Sequence, residues 1–123
     1  MKRPKMAGAT LLIVLLASAH AADRKYIVNA RPADARSLPF SDEQEARLVM
    51  DGIKTTVEAA GLSMDEVVSV QIFCTDLKLY ETFNVVYKTY FHGHYPARAF
   101  IGTDKLLRGG RYEVMGIAIK KIG

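Results

Sequence analysis

Apolar residues recur along this chain with two different periods. From Ser41 to Gly61 the spacing is helical: Ala46, Val49, Met50, Ile53, Val57 and Ala60 fall on one stripe. Ser41 and Gln44 stand at capping-box spacing at its start. Gly61 follows the last apolar position, where a helix stop is expected. In "DEVVSVQIFCTDL" the period changes to that of a strand. Val68, Val70, Ile72 and Cys74 fall in step, with Val67 and Phe73 facing the other way, so both faces are largely apolar. A strand of that kind belongs inside a sheet, covered on both sides. A second helix is predicted over "LYETFNVVYKTYFHG", where Tyr80, Phe83, Tyr87, Tyr90 and Phe91 recur at three- and four-residue steps and read as core. "ARAFIG" and "RYEVMGIAIKK" are predicted strands, and Gly109 and Gly110 between them suit a hairpin turn. Ahead of the first helix, "KYIVNA" is a strand candidate and "RPADARSLPFS", with its two prolines, is a loop.

The predicted order is strand, loop, helix, strand, helix, strand, strand. That is an α+β domain with two helices on one face of a small mixed sheet. The other face would present Val, Ile and Phe side chains, which predicts an oligomer interface. A length of 123 residues allows one domain.

The start of the chain has a different character. "MKRPK" is basic, "AGATLLIVLLASA" is apolar, and "AHA" places small residues at alternate positions. This is the layout of a secretory signal peptide cut after Ala21, with residues 22–123 as the mature domain and a periplasmic or secreted location. The apolar run is short for a membrane span, so no membrane association is expected after cleavage. Lys2, Arg3 and Lys5 lie in this leader with no acid, so most of the formal net charge of +4 belongs to it. The nearly neutral remainder is a poor match for a nucleic-acid binder held by phosphate contacts. The single cysteine, Cys74, has no intrachain partner and reads as a small buried apolar residue. His92 and His94 are close in "HGH" but have no third ligand nearby, so no metal site is expected.

Two charges remain on apolar strands. Arg98 sits in "PARAFIG", and Glu113 is in step with Met115, Ile117 and Ile119. In a hairpin centred on Thr103–Gly110, Arg98 would face residue 115 and Glu113 would be its diagonal neighbour. Two readings follow. The residues could form a buried ion pair that satisfies itself. Alternatively, the fork of Arg98 could hold a planar carboxylate by two parallel bonds, while Glu113 orients a water or moves a proton.

From Glu43 onward the chain resembles the RidA family, also called YjgF or, in older labels, L-PSP endoribonuclease. "VEAAGLSMDEVVSVQIFCTDL", "YETFNVVYKTYF", "YPARAFIG" and "RYEVMGIAIKK" carry the resemblance, in family order and spacing. The resemblance implies a chorismate-mutase-like α+β fold and a homotrimer with clefts between subunits. It implies hydrolysis of enamines and imines, of the 2-aminoacrylate and 2-iminopropanoate type, to 2-keto acids and ammonia, without a cofactor. Arg98 matches the arginine that grips the substrate carboxylate, and Glu113 the glutamate that positions the attacking water. "SLPFSD" resembles the early "GPYSQ" motif, with Phe40 in place of a frequent tyrosine, and Phe100 stands where the family has a cysteine. Both are expected to line the substrate site. Family members carry two strands and an "SGQ"-like turn between "PFSD" and "EQEAR", which this chain joins directly, so the N-terminal strands are expected to be incomplete. A non-catalytic small-ligand-binding member of the family is the alternative function. An endoribonuclease is a further one, disfavoured by the charge and by the lack of a histidine acid–base pair.

Overall fold

The structure is a computed structural model describing residues 9–16, 23–32 and 41–121, with side-chain surroundings for 41–120. Its strands are β1 (Ala9–Leu16), β2 (Asp23–Pro32), β3 (Val67–Cys74), β4 (Ala97–Gly102) and β5 (Tyr112–Lys121). The helices are α1 (Asp42–Ala59) and α2 (Tyr80–Tyr87). The strands form one sheet in the order β1-β2-β5-β3-β4, in which β3 and β4 are parallel and the other pairs antiparallel. This is the α+β mixed sheet with two helices that the sequence predicts.

Helix α1 starts and stops as its sequence dictates. The Ser41 hydroxyl accepts from the Gln44 amide at 3.1 Å, and the Gln44 side chain accepts from the Ser41 amide at 2.8 Å. Both bonds satisfy amides that a helix start leaves orphaned. At the other end Gly61 adopts φ +77°, and the Leu62 amide reaches back to the Val57 carbonyl at 2.9 Å. Only glycine takes that left-handed conformation without strain. The stripe of Ala46, Val49, Met50, Ile53 and Val57 is buried, against Val70, Ile72 and Cys74 of β3 and Tyr112, Val114 and Ala118 of β5.

Four details differ from the sequence expectation. First, the last two strands do not pair with each other. β4 runs parallel to β3 on one side, and β5 pairs with β3 and β2 on the other. A parallel pair needs a crossover connection, and α2 supplies it between β3 and β4. Second, a register shift lies between Val67 and Ser69. It puts Val67 on the buried side and leaves Val68 44% exposed, against simple alternation. Third, the aromatic stripe divides. Phe83, Tyr87 and Phe91 are core, whereas Tyr80 is exposed and Tyr90 only half-buried. Fourth, two strands precede α1 instead of one. β1 lies within the segment read as a leader and pairs with β2 from Ala9 opposite Pro32 to Leu16 opposite Lys25. An apolar run of this length suits either role, because leader cores and edge strands both ask for contiguous apolar side chains. The cleavage point after Ala21 and the loop containing Phe40 lie outside the described residues. No helix among the described residues is long and apolar enough to cross a membrane.

Candidate functional site

Arg98 is half-buried on β4, opposite Val70 of β3. Val70 is buried beneath the helices, so Arg98 points to the helix-covered face, towards α2. Its Nη1 donates to Asn84 Oδ1 at 2.8 Å and its Nη2 to the Tyr80 hydroxyl at 3.3 Å. The guanidinium carbon stands 4.7 Å from the centre of the Tyr87 ring and 5.6 and 5.7 Å from those of Tyr80 and Phe100. Stacking on aromatic faces and neutral acceptors fixes the fork in place without cancelling its charge. Arg98 forms no ion pair with any acid among the described residues. Of its five N–H groups, three are left for a ligand.

These groups open onto a cleft of about 350 Å³ lined by Tyr80, Asn84, Tyr87, Lys88, Tyr95, Pro96 and Arg98. Tyr80, Asn84, Tyr87 and Lys88 follow one another at helical spacing, so one face of α2 and the turn after it forms the wall. Tyr87 is almost fully buried, and its hydroxyl has no hydrogen-bond partner among the described residues. Burial pushes that phenol up to about 12, although the charge of Arg98 pulls the other way. It is therefore a neutral O–H at any physiological pH. Phe100 does not line the cleft. It packs edge-on against Tyr80 and Phe83 with centroids at 5.0 and 5.6 Å, behind the guanidinium.

Glu113 lies elsewhere. It pairs with Phe73 of β3, and Phe73 is three residues from Val70, so Glu113 and Arg98 occupy opposite faces of the sheet. Strand spacings put them about 10 Å apart along the strands and about 10 Å across. The buried ion pair that a hairpin would have allowed is therefore absent within one chain. Glu113 is half-buried and has neither a hydrogen bond nor an ion pair among the described residues. On that open face Phe73 stands opposite it on β3, and Met115 is the next residue along β5.

A second carboxylate was not singled out by the sequence. Glu45 of α1 is fully buried, and its Oε2 accepts from the Arg111 and Tyr112 amides at 2.6 and 2.9 Å. Its Oε1 accepts from Arg111 Nη1 at 3.2 Å. Burial raises its pKa, opposed by the bonds to Arg111 and Tyr112. Glu45 ties α1 to the start of β5 and does not touch the cleft. His94 Nε2 lies 3.3 Å from the Asp65 carbonyl and His92 Nδ1 4.0 Å from the Asp65 carboxylate. No group of three or more potential ligands that could hold a metal occurs among the described residues.

Of the residues expected to form the site, Arg98 is thus in the cleft, Phe100 behind it and Glu113 on the other face. Asn84, Lys88 and Tyr95 are cleft residues that sequence reasoning missed. Asn84 carried a readable signal, as a polar residue four after Tyr80 and three before Tyr87 on an otherwise aromatic stripe.

Residues 31–120 match the family model described as Endoribonuclease L-PSP. The chain belongs to the RidA/YjgF family. Among its relatives, the mouse protein named 2-iminobutanoate/2-iminopropanoate deaminase is 32% identical over 93 residues, covering 76% of this chain and 69% of that one. The rat protein of the same name is 30% identical over 123 residues, covering 97% and 85%. Solved RidA/YjgF-family structures share the fold. Escherichia coli TdcF with bound serine matches with a TM-score of 0.69 at 26% identity, covering 85% of each chain. Yeast Mmf1 matches with a TM-score of 0.69 at 28% identity, covering 91% of this chain and 100% of that one.

Proposed function

We propose that this RidA/YjgF-family chain is a hydrolytic deaminase of reactive enamines and imines, releasing 2-keto acids and ammonia. The observation that carries the reading is the state of Arg98: a fixed, stacked guanidinium with neutral partners and, among the described residues, three unused N–H groups and no acid to neutralise it. A charge held that way in a partly dry cleft favours an anionic ligand, and a planar carboxylate fits the fork. The names of the mouse and rat relatives point to the same class of substrate.

In this reading an enamine first tautomerises to its imine. Arg98 holds the carboxylate next to the imine carbon. A carboxylate acting as base takes a proton from water as its oxygen attacks that carbon. The protonated carboxylate gives that proton to the imine nitrogen, and the resulting carbinolamine expels ammonia as its hydroxyl proton passes by the same carboxylate to the nitrogen, leaving the C=O of the keto acid. Glu113 is the proposed base. Because it lies on the opposite face from Arg98, the glutamate that serves a given Arg98 comes from a second copy of the chain. In a homotrimer the interfaces are heterologous, so the open sheet face of one copy, where Phe73, Met115, Ile117 and Ile119 are half-buried, would dock against the cleft edge of the next and bring its Glu113 to that Arg98. Export through the N-terminal leader is part of the same proposal; cleavage after Ala21 would remove β1 and leave β2 as the edge of the sheet. The N-terminus of protein recovered outside the cytoplasm tests it: Ala22 is expected, and an intact Met1 would contradict it.

The direct test is release of ammonia and pyruvate from freshly generated 2-aminoacrylate. Absence of turnover by the wild-type protein would sink the enzyme reading. A second reading, a non-catalytic binder of small keto acids, is favoured by one observation: the cleft around Arg98 is formed within one chain, whereas Glu113 is not in it. Calorimetric binding of pyruvate without turnover of the imine would support that reading instead.

A further inference from the structure

Lys88 lines the same cleft as Arg98, and the deaminase chemistry above gives it no task. It is exposed at the cleft rim and forms no ion pair with any described acid. Among the described residues of one chain the cleft thus holds two cations, three tyrosines, an asparagine and a proline, and no Asp or Glu. Like charges facing one space repel; a monoanionic ligand compensates Arg98, and Glu113 of the second copy, engaged with the attacking water at the imine carbon, leaves Lys88 at the rim unmatched. We propose that the cleft selects 2-imino acids with a second carboxylate: Arg98 takes the carboxylate beside the imine and Lys88 the distal one. The proposal rests on the deaminase reading and names its substrate class.

The spacing fits. Asn84, which holds Arg98 at 2.8 Å, and Lys88 are four residues apart, one helical turn along the same wall. A turn rises about 5.4 Å, and a five-carbon 2-imino diacid separates its carboxylates by about 5 Å when extended. In the same cleft Tyr87 and Tyr95 stack with centroids 6.2 Å apart at 19°. They offer an uncharged surface for the carbon chain. Lys88 has a flexible stem and a compact charge, which suits a contact at the rim better than a fixed bidentate one.

The test compares imines generated in situ from glutamate and from alanine by flavin-dependent oxidases, with binding of 2-oxoglutarate and pyruvate measured in parallel. In the wild-type protein kcat/KM for the glutamate-derived imine should exceed that for the alanine-derived one by about tenfold or more. Lys88→Glu should lower that ratio by at least about tenfold, and Lys88→Ala by less, with 2-oxoglutarate binding following the same order. Lys88 is exposed, so neither variant disturbs the core. Turnover with no preference, or a preference insensitive to Lys88, would overturn the proposal and leave the deaminase reading standing. No turnover, with 2-oxoglutarate bound more tightly than pyruvate and the difference lost in Lys88→Glu, would remove the deaminase reading and support the paired-carboxylate site. Neither turnover nor preferential binding would overturn both.

Discussion

Arg98 and Glu113 point to opposite faces of one sheet, from strands that flank β3 on either side. Neither can neutralise the other within a chain. A half-buried charge with no counter-charge among the described residues is costly, and aromatic faces and two neutral acceptors offset that cost for Arg98.

The fork geometry of Arg98, more than its charge, is expected to matter. Arg98→Lys keeps a cation but loses the planar pair of donors and the stacking on Tyr87. It should raise KM for the imine substrate by about tenfold or more, and Arg98→Ala by more still. Asn84→Ala removes the 2.8 Å acceptor and frees the fork to reorient, so its effect should be smaller, about threefold to tenfold on KM. Steady-state kinetics of the three variants checks the order. An Arg98→Lys protein with wild-type KM would contradict it.

Stability should depend on Glu45. Glu45→Ala leaves two backbone amides and a guanidinium contact without their acceptor and should cost about 3 kcal/mol. Glu45→Gln can keep both amide bonds on one oxygen and should cost distinctly less. The pH dependence has a definite sign. Burial raises the folded pKa above the ordinary carboxylate value of 4.5, so the folded state holds this proton more tightly than the unfolded chain. The resulting stabilisation is full below about 4.5 and is lost as pH rises through the folded pKa. Urea unfolding should therefore show wild type losing stability relative to Glu45→Gln as pH rises from 4 to 8. A constant difference would contradict the assignment.

Cys74 should be chemically silent in the native protein. It is fully buried, its thiol donates to the Asp76 carbonyl at 3.1 Å, and burial pushes its pKa up from 9.0. A thiol reagent such as Ellman's should fail to label it at pH 8 over minutes and label it completely in denaturant. Stoichiometric labelling of the native protein within seconds would contradict the buried placement.

Much of this architecture was legible in the residues. The cap at Ser41–Gln44, the stop at Gly61 and the apolar stripe of α1 are local signals, and they were sufficient. Strand neighbours were not. Gly109 and Gly110 mark a turn whether the strands on either side pair directly or with β3 between them, because a loop constrains direction and not adjacency. Alternation failed at Val67 and Val68 because a bulge changes the phase without any mark in the sequence. Ala9–Leu16 reads as a leader core because its composition suits that role as well as a strand. Arg98 was identifiable as a charge out of place. Its surroundings were not, since Tyr80, Asn84, Tyr87 and Lys88 become a wall only once α2 crosses over β4.

The central claim is that a working site needs Arg98 from one copy and Glu113 from another. Co-expression of Arg98→Ala and Glu113→Ala chains, with the mixed oligomers isolated through two different tags, tests it directly. Each variant alone should be inactive. In a mixed three-membered ring of either composition, one interface in three pairs an intact Arg98 with an intact Glu113, so deaminase activity should return to about a third of the wild-type level. Mixed oligomers no more active than either parent would contradict a site shared between copies.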